Sequence, residues 1–218
     1  MVRVVLLSVL LVLPGAAQVV NFDKDRPGAV AQGWSQAMTH EGGAPEWEVV
    51  QDASAPSKPH VLAQTSTDNT SGRFPLAILA ASRLRDGSVS VRFKTISGER
   101  DQAAGIVWRY QDTENYYVVR ANALEDNVVL YKVEKGKRIA LAPKSTTANT
   151  YGVKHRVPRQ TWSSLKVSFS ANRFEVFFDG QKIMEVEDAT FTEAGKAGLW
   201  TKADSVTWFD DFTITRVK

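Results

Sequence analysis

Ser88-Val89-Ser90-Val91-Arg92-Phe93-Lys94 puts an apolar side chain on every second position. In an extended chain successive side chains point to opposite faces. This run therefore buries Val89, Val91 and Phe93 and turns Ser90, Arg92 and Lys94 the other way. Residues 104–110 repeat the pattern, with Ile106, Trp108 and Tyr110 on one side and Gly105, Val107 and Arg109 on the other. Residues 116–122 and 128–134 are equally rich in β-branched and aromatic side chains, and 163–170 turns Leu165, Val167 and Phe169 inward. Asp86-Gly87, Ser97-Gly98, Lys135-Gly136 and Asp179-Gly180 supply the residues that tight reversals need, and 173–178 and 181–186 flank the last of them as a hairpin. Further strands are expected at 61–64, 76–80, 138–141, 197–201 and 206–217, with 25–45 and 143–158 read as loops. About a dozen short strands, with turns every 8–12 residues and no helical periodicity, define an all-β sandwich or barrel.

The N-terminus reads differently. Arg3 precedes an apolar run over 4–13, Pro14 ends it, and Gly15-Ala16-Ala17 supplies small residues. That is the order of a secretory signal peptide cleaved after Ala17, and the run is too short to span a bilayer. Residues 18–218 are then expected to form one exported domain, secreted or periplasmic, without a membrane span. The chain has 27 Lys and Arg against 24 Asp and Glu, and losing Arg3 leaves 26 against 24. With no basic run, this balance does not point to nucleic acid. The absence of cysteine excludes thiolate metal sites and cysteine nucleophiles.

Three constellations carry chemical interest. If each apolar phase points inward, Arg92, Arg109, Arg120, Asn122 and Lys132 project from one sheet surface on successive strands. Such a face can grip saccharide hydroxyls or a carboxylate, because the guanidinium fork binds carboxylates through two hydrogen bonds. The competing reading is a solvated face with cross-strand ion pairs to Glu134 or Glu99. Among the aromatics, Trp108, Tyr110, Tyr117 and Tyr131 fall on the inward phase, whereas Tyr116 and Trp200 are the sugar-stacking candidates. Alternation slips at Asp210-Asp211, which signals a bulge. With Asp23, brought near if the terminal strands pair, these carboxylates would make a hard-cation site for a structural Ca2+. The alternative is that they accept backbone N–H bonds at the bulge. The three histidines, His40, His60 and His155, have no metal spacing, and His155 in a basic loop is an acid/base candidate.

Phe22-Asp23, Gly33-Trp34, Trp47 to Val50, Ala104 to Arg109, Asn115 to Arg120, Trp162, Phe177 to Gly180, Gly195 to Trp200 and Phe209 to Ile214 occur in an order. That order resembles the concanavalin A-like lectin/glucanase superfamily. Within it, the layout is similar to bacterial exported 3-keto-disaccharide hydrolase and laminin G-like domains. The resemblance implies a two-sheet antiparallel jelly roll with a concave face directed at oligo- or polysaccharide. The paired catalytic glutamates of laminarinase-type relatives and the R-x-E-x-R and Q-x-H strands of alginate-lyase types are absent. Three functions stay open: a saccharide-binding jelly roll using an Arg/Asn-lined face, a glycoside or keto-sugar hydrolase acting from the same groove, and a structural or protein-interaction module. Fold alone does not choose among them.

Overall fold

The computed structural model describes residues 14–144 and 151–217, so the apolar run over 4–13, with the signal-peptide reading that rests on it, lies outside the described residues. Sixteen strands and no helix occur among them. The first eight are β1 (Pro14–Val20), β2 (Trp34–Thr39), β3 (Trp47–Gln51), β4 (His60–Gln64), β5 (Phe74–Leu84), β6 (Gly87–Ser97), β7 (Ala103–Asp112) and β8 (Asn115–Asn122). The rest are β9 (Asn127–Glu134), β10 (Lys137–Ala140), β11 (Val153–Lys154), β12 (Ser163–Ser170), β13 (Arg173–Phe178), β14 (Gln181–Glu187), β15 (Gly195–Trp200) and β16 (Val206–Val217). Strands β2 and β11 fall in the two stretches expected to be loops.

The first sheet has the order β14-β13-β12-β6-β16-β4-β3, with β1 also on β16, and the second has the order β10-β9-β8-β7-β15-β5-β2, with β11 on β9. Every pairing is antiparallel. This is the jelly-roll sandwich that the alternating strands specify. Val89, Val91 and Phe93 of β6 meet Ile106 and Trp108 of β7 and Tyr117 and Val119 of β8 in the core between the sheets. The Trp108 ring stacks on Tyr117 and Phe169, at 5.4 and 5.9 Å, and meets Phe174 edge-on at 5.4 Å. Each such burial contributes roughly 1.5–3 kcal/mol, before the chain entropy it must offset.

Consecutive strands β6 and β7 belong to different sheets, so the chain must cross between layers over residues 98–102. Gly98 turns there at a φ of 145°, and a Cβ on it would lie 1.9 Å from the Asp101 carbonyl oxygen. Asp204 fixes the crossing by accepting the backbone N–H groups of Glu99, Arg100 and Asp101 at 2.7–3.2 Å. Burial opposes its charge, but these three donors outweigh burial and hold its carboxyl below the ordinary range.

A second apolar layer covers the outer face of the second sheet. Phe74, Leu76, Val107, Tyr116, Val118, Val129, Tyr131 and Trp200 form it, all fully or nearly fully buried. Strands β7, β8 and β9 are therefore apolar on both faces, which the two-state in/out reading of the sequence does not accommodate.

Candidate functional site

The structure separates the five polar residues that alternation places on one surface. Arg92 stands on β6, in the first sheet, while Arg109, Arg120, Asn122 and Lys132 stand on β7, β8 and β9 in the second. Arg92 is therefore remote in topology, because the crossing at 98–102 interrupts the succession of strands. Lys132 pairs directly with core-facing Tyr117, so it shares the inner phase, and its Nζ reaches Thr190 Oγ1 at 2.8 Å, Glu134 at 3.3 Å and Asp188 at 3.7 Å. Tyr131, expected inside, belongs to the outer layer.

Arg109 is turned inward by a bulge. Its φ is 47°, and the β7–β8 register shifts between Trp108 and Asp112, so Trp108 and Arg109 both face the interior and Tyr110 is thrown outward. The Arg109 guanidinium, fully buried, donates to the carbonyls of Arg85, Phe191 and Ala171 at 3.1, 2.7 and 2.6 Å and lies over the Phe169 and Phe174 rings. It joins three connections at the end of the sandwich.

Arg120 and Asn122 do share the outer face with Tyr116 and Val118, but none of the four is exposed. Tyr116 and Trp200, the expected stacking platforms, are likewise fully buried. The Tyr116 hydroxyl is 2.7 Å from Thr39 Oγ1, and Trp200 packs 5.2 Å from Phe74 with its indole 3.2 Å from where a Gly105 Cβ would sit. They are the floor of this face.

Above the floor, the β8–β9 hairpin gathers a polar cluster. Arg120 donates to Glu125 at 3.3 and 2.9 Å and to Asn127 Oδ1 at 2.6 Å, while its Nε is buried without a partner. Asn122 Nδ2 bridges Asp101 at 2.8 Å and Glu125 at 3.2 Å, and Lys202 closes on Asp101 at 2.6 Å. Burial works against the Glu125 carboxylate, but Arg120, Asn127 and Lys202 outweigh it and hold the group below the usual carboxylate range. Tyr131 and Tyr151 share a short hydroxyl hydrogen bond, and the Arg120 guanidinium lies 5.7 and 5.9 Å from their two rings. Arg138, on edge strand β10, sits over Tyr131 at 4.6 Å, Phe74 at 4.8 Å and Trp200 at 5.9 Å. Glu125, Arg138 and Tyr151 form the solvent-reachable rim, with Tyr151 52% exposed. Sequence reading finds Arg120 and Asn122 but misses Glu125, Asn127 and Arg138. The signal was Arg-x-Asn-x-x-Glu-x-Asn over 120–127, polar alternation carried across a tight hairpin.

Asp210 lies at the bulge between β16 residues 210 and 213, fully buried. Its carboxylate accepts Ser57 N and Oγ, both at 2.8 Å, and Asp211 N at 2.7 Å, and burial pushes its pKa up to about 6. Asp23 Oδ1 accepts His60 N at 3.2 Å. Among the described residues, no group of three or more metal-ligating side chains comes together. His155 packs on Phe178 at 4.4 Å, and His40 lies between the Gly72 and Gly136 carbonyls, 2.8 Å from each.

Two antiparallel sheets in this order, with an outer face holding a fixed polar cluster, define a concanavalin A-like jelly-roll domain. The chain belongs to the 3-keto-alpha-glucoside-1,2-lyase-like domain family, which it matches over residues 19–215. Among curated proteins, no sequence matches it. Its fold is similar to carbohydrate binding module CBM66 from Bacillus subtilis, at 18% identity and a TM-score of 0.61, covering 83% of this chain and 94% of that one. Cellulose induced protein Cip1 is similar at 13% identity and a TM-score of 0.59, covering 90% and 96%. Domain 4 of AbnA, an extracellular GH43 arabinanase from Geobacillus stearothermophilus solved with arabinotriose, is similar at 14% identity and a TM-score of 0.56, covering 94% and 92%.

Proposed function

We propose that this is an exported saccharide-binding domain whose site is the rim of Glu125, Arg138 and Tyr151 above the Tyr131–Trp200 floor. The observation that carries the reading is a set of hydrogen-bonding groups pre-organised on an apolar floor, with two guanidinium donors, Arg120 Nε and Arg138 Nη1, buried without partners. Buried donors are normally satisfied, so orphans that converge on one face mark a place where acceptors arrive from outside. Rigid aromatics below fixed polar groups suit a hydroxyl-rich ligand. Carbohydrate binding by CBM66 and the arabinotriose complex of the AbnA domain support this class of ligand. The apolar leader at 4–13 supports export.

The family description favours a second reading, lyase-like cleavage of a keto-glucoside at the same face. Glycan-array binding combined with a sugar-release assay separates the two. Binding without release selects the binding domain, binding with release selects the enzyme, and neither overturns the site. Trp200 supplies a local probe: ligand should shift indole fluorescence in the parent protein, and Trp200→Phe should remove that shift while keeping the fold.

A further inference from the structure

Arg138 is the half-buried cation of the cluster that no carboxylate among the described residues answers, whereas Lys154, also without an ion pair there, is exposed. Arg120 is paired with Glu125, and Lys202 with Asp101. Lys154 donates to the Glu125 carbonyl at 3.2 Å. Both carboxylates are fully engaged, Glu125 by Arg120, Asn122 and Asn127, and Asp101 by Asn122 and Lys202. Arg138, by contrast, has ring faces of Phe74, Tyr131 and Trp200 around its guanidinium and, among the described residues, neither an ion pair nor a hydrogen bond.

Ring faces stabilise a cation, but they leave its in-plane N–H donors unsatisfied. A guanidinium partly withdrawn from water and lacking acceptors is costly, and the acceptor whose planar geometry and charge answer it is a carboxylate. A neutral sugar hydroxyl could accept one of these bonds but would leave the charge uncompensated. Arg120 Nε, fully buried and unpartnered, is a second such donor beside the Tyr131 ring.

We infer that the saccharide recognised here is acidic, with a uronic acid residue whose carboxylate takes the free edge of Arg138. This rests on the reading of the face as a saccharide site. The rim then divides its work: Arg138 takes the carboxylate, and the Tyr151 hydroxyl takes a ring hydroxyl.

The test is calorimetry on the whole protein with trigalacturonate and a glucuronate-terminated oligosaccharide, each beside its carboxyl-reduced neutral counterpart. The expected result is at least about tenfold tighter binding of one acid form than of its neutral twin, with affinity falling as salt rises. Arg138→Gln should erase the preference and Arg138→Lys restore only part of it, since an ammonium lacks the planar fork. A merely structural Arg138 would change the melting temperature and leave the acid-to-neutral ratio alone, which would overturn the inference. Equal affinity of the parent protein for acid and neutral forms would also overturn it while leaving the saccharide site standing. No binding to these probes or to a glycan array of uronates and their neutral parents overturns both. The parent comparison decides the matter even if Arg138→Gln fails to fold.

Discussion

Asp210 shows how burial can override hydrogen bonding in setting a side chain's behaviour. Among the described residues its carboxyl has no ion-pair partner, and its pKa rises from 3.8 to about 6 because water is excluded. The Asp211 charge adds to the rise, and the hydrogen bonds from Ser57 and Asp211 oppose it. A carboxyl with a raised folded pKa holds its proton longer in the folded state. Its contribution is therefore unpenalised below about pH 3.8, weakens as pH rises to about 6, and is constant above that. The full loss is about 3 kcal/mol. Asp210→Asn should remove this slope, so the difference in urea stability between parent and variant should change between pH 4 and 6 and stay flat from 6.5 to 8. A parallel pair of profiles across pH 4–6 would refute the assignment. Arg120 behaves oppositely, as a buried cation that is well answered. Arg120→Ala strands Asn127 and the half-exposed Glu125, and should cost about 2–3 kcal/mol in a denaturant melt. Any effect of this variant on the proposed saccharide binding therefore has to be judged against the fraction folded.

At the scale of the strand, β7 decides how the sheet faces are read. Strict alternation puts Trp108 and Tyr110 together and Arg109 opposite. The bulge at Arg109 instead keeps Trp108 in the core, adds Arg109 beside it and turns Tyr110 out. Alternation is legible where one face is wet, as in β12 and in β6 as far as Phe93, whereas Lys94, on the outward phase, is buried against Asp52 and Ser54. Alternation fails in β7–β9, which carry apolar layers on both sides and hold Arg109 at a bulge, Arg120 beside a hairpin and Lys132 against Thr190, Glu134 and Asp188. Most of the strands, the bulge at Asp210–Asp211 and Arg120 with Asn122 were readable, whereas β2, β11 and the bulge at Arg109 were not. Arg138 was not, because a guanidinium lying over aromatic rings leaves no periodic mark. The crossing between β6 and β7 offers a sharper test. Gly98→Ala drives a Cβ into the Asp101 carbonyl at a φ that side chains avoid, so it should destabilise by at least about 2 kcal/mol. Gly180→Ala, with a φ of 80° but nothing within 4 Å, should cost only about 1 kcal/mol. Equal losses in the two melts would show that the crossing has room to relax.

At the scale of the molecule, β16 is the strand on which the first sheet depends. β6 lies along one edge of it, while β4 and β1 share the other: β4 pairs with residues 207–209 and β1 with residues 212–217. The Asp210–Asp211 bulge falls where one partner gives way to the next. Most of the β1 pairing survives cleavage after Ala17, because Gln18, Val19 and Val20 face Ile214, Thr213 and Phe212. The next anchor is Phe22, buried 5.7 Å from Trp34, which in turn meets Phe212 at 5.0 Å. A chain beginning at Gln18 should therefore lose no more than about 1 kcal/mol in urea relative to the full chain, since only the outermost pairs go. One beginning at Asp23 should lose at least about 3–5 kcal/mol, the cost of removing a large buried aromatic, with an uncovered β16 edge besides. N-terminal sequencing of exported protein should return Gln18. If the chain from Asp23 melts with the chain from Gln18, the Phe22–Trp34–Phe212 contact does not hold the terminus, and β1 is an ornament on the sheet rather than part of its edge.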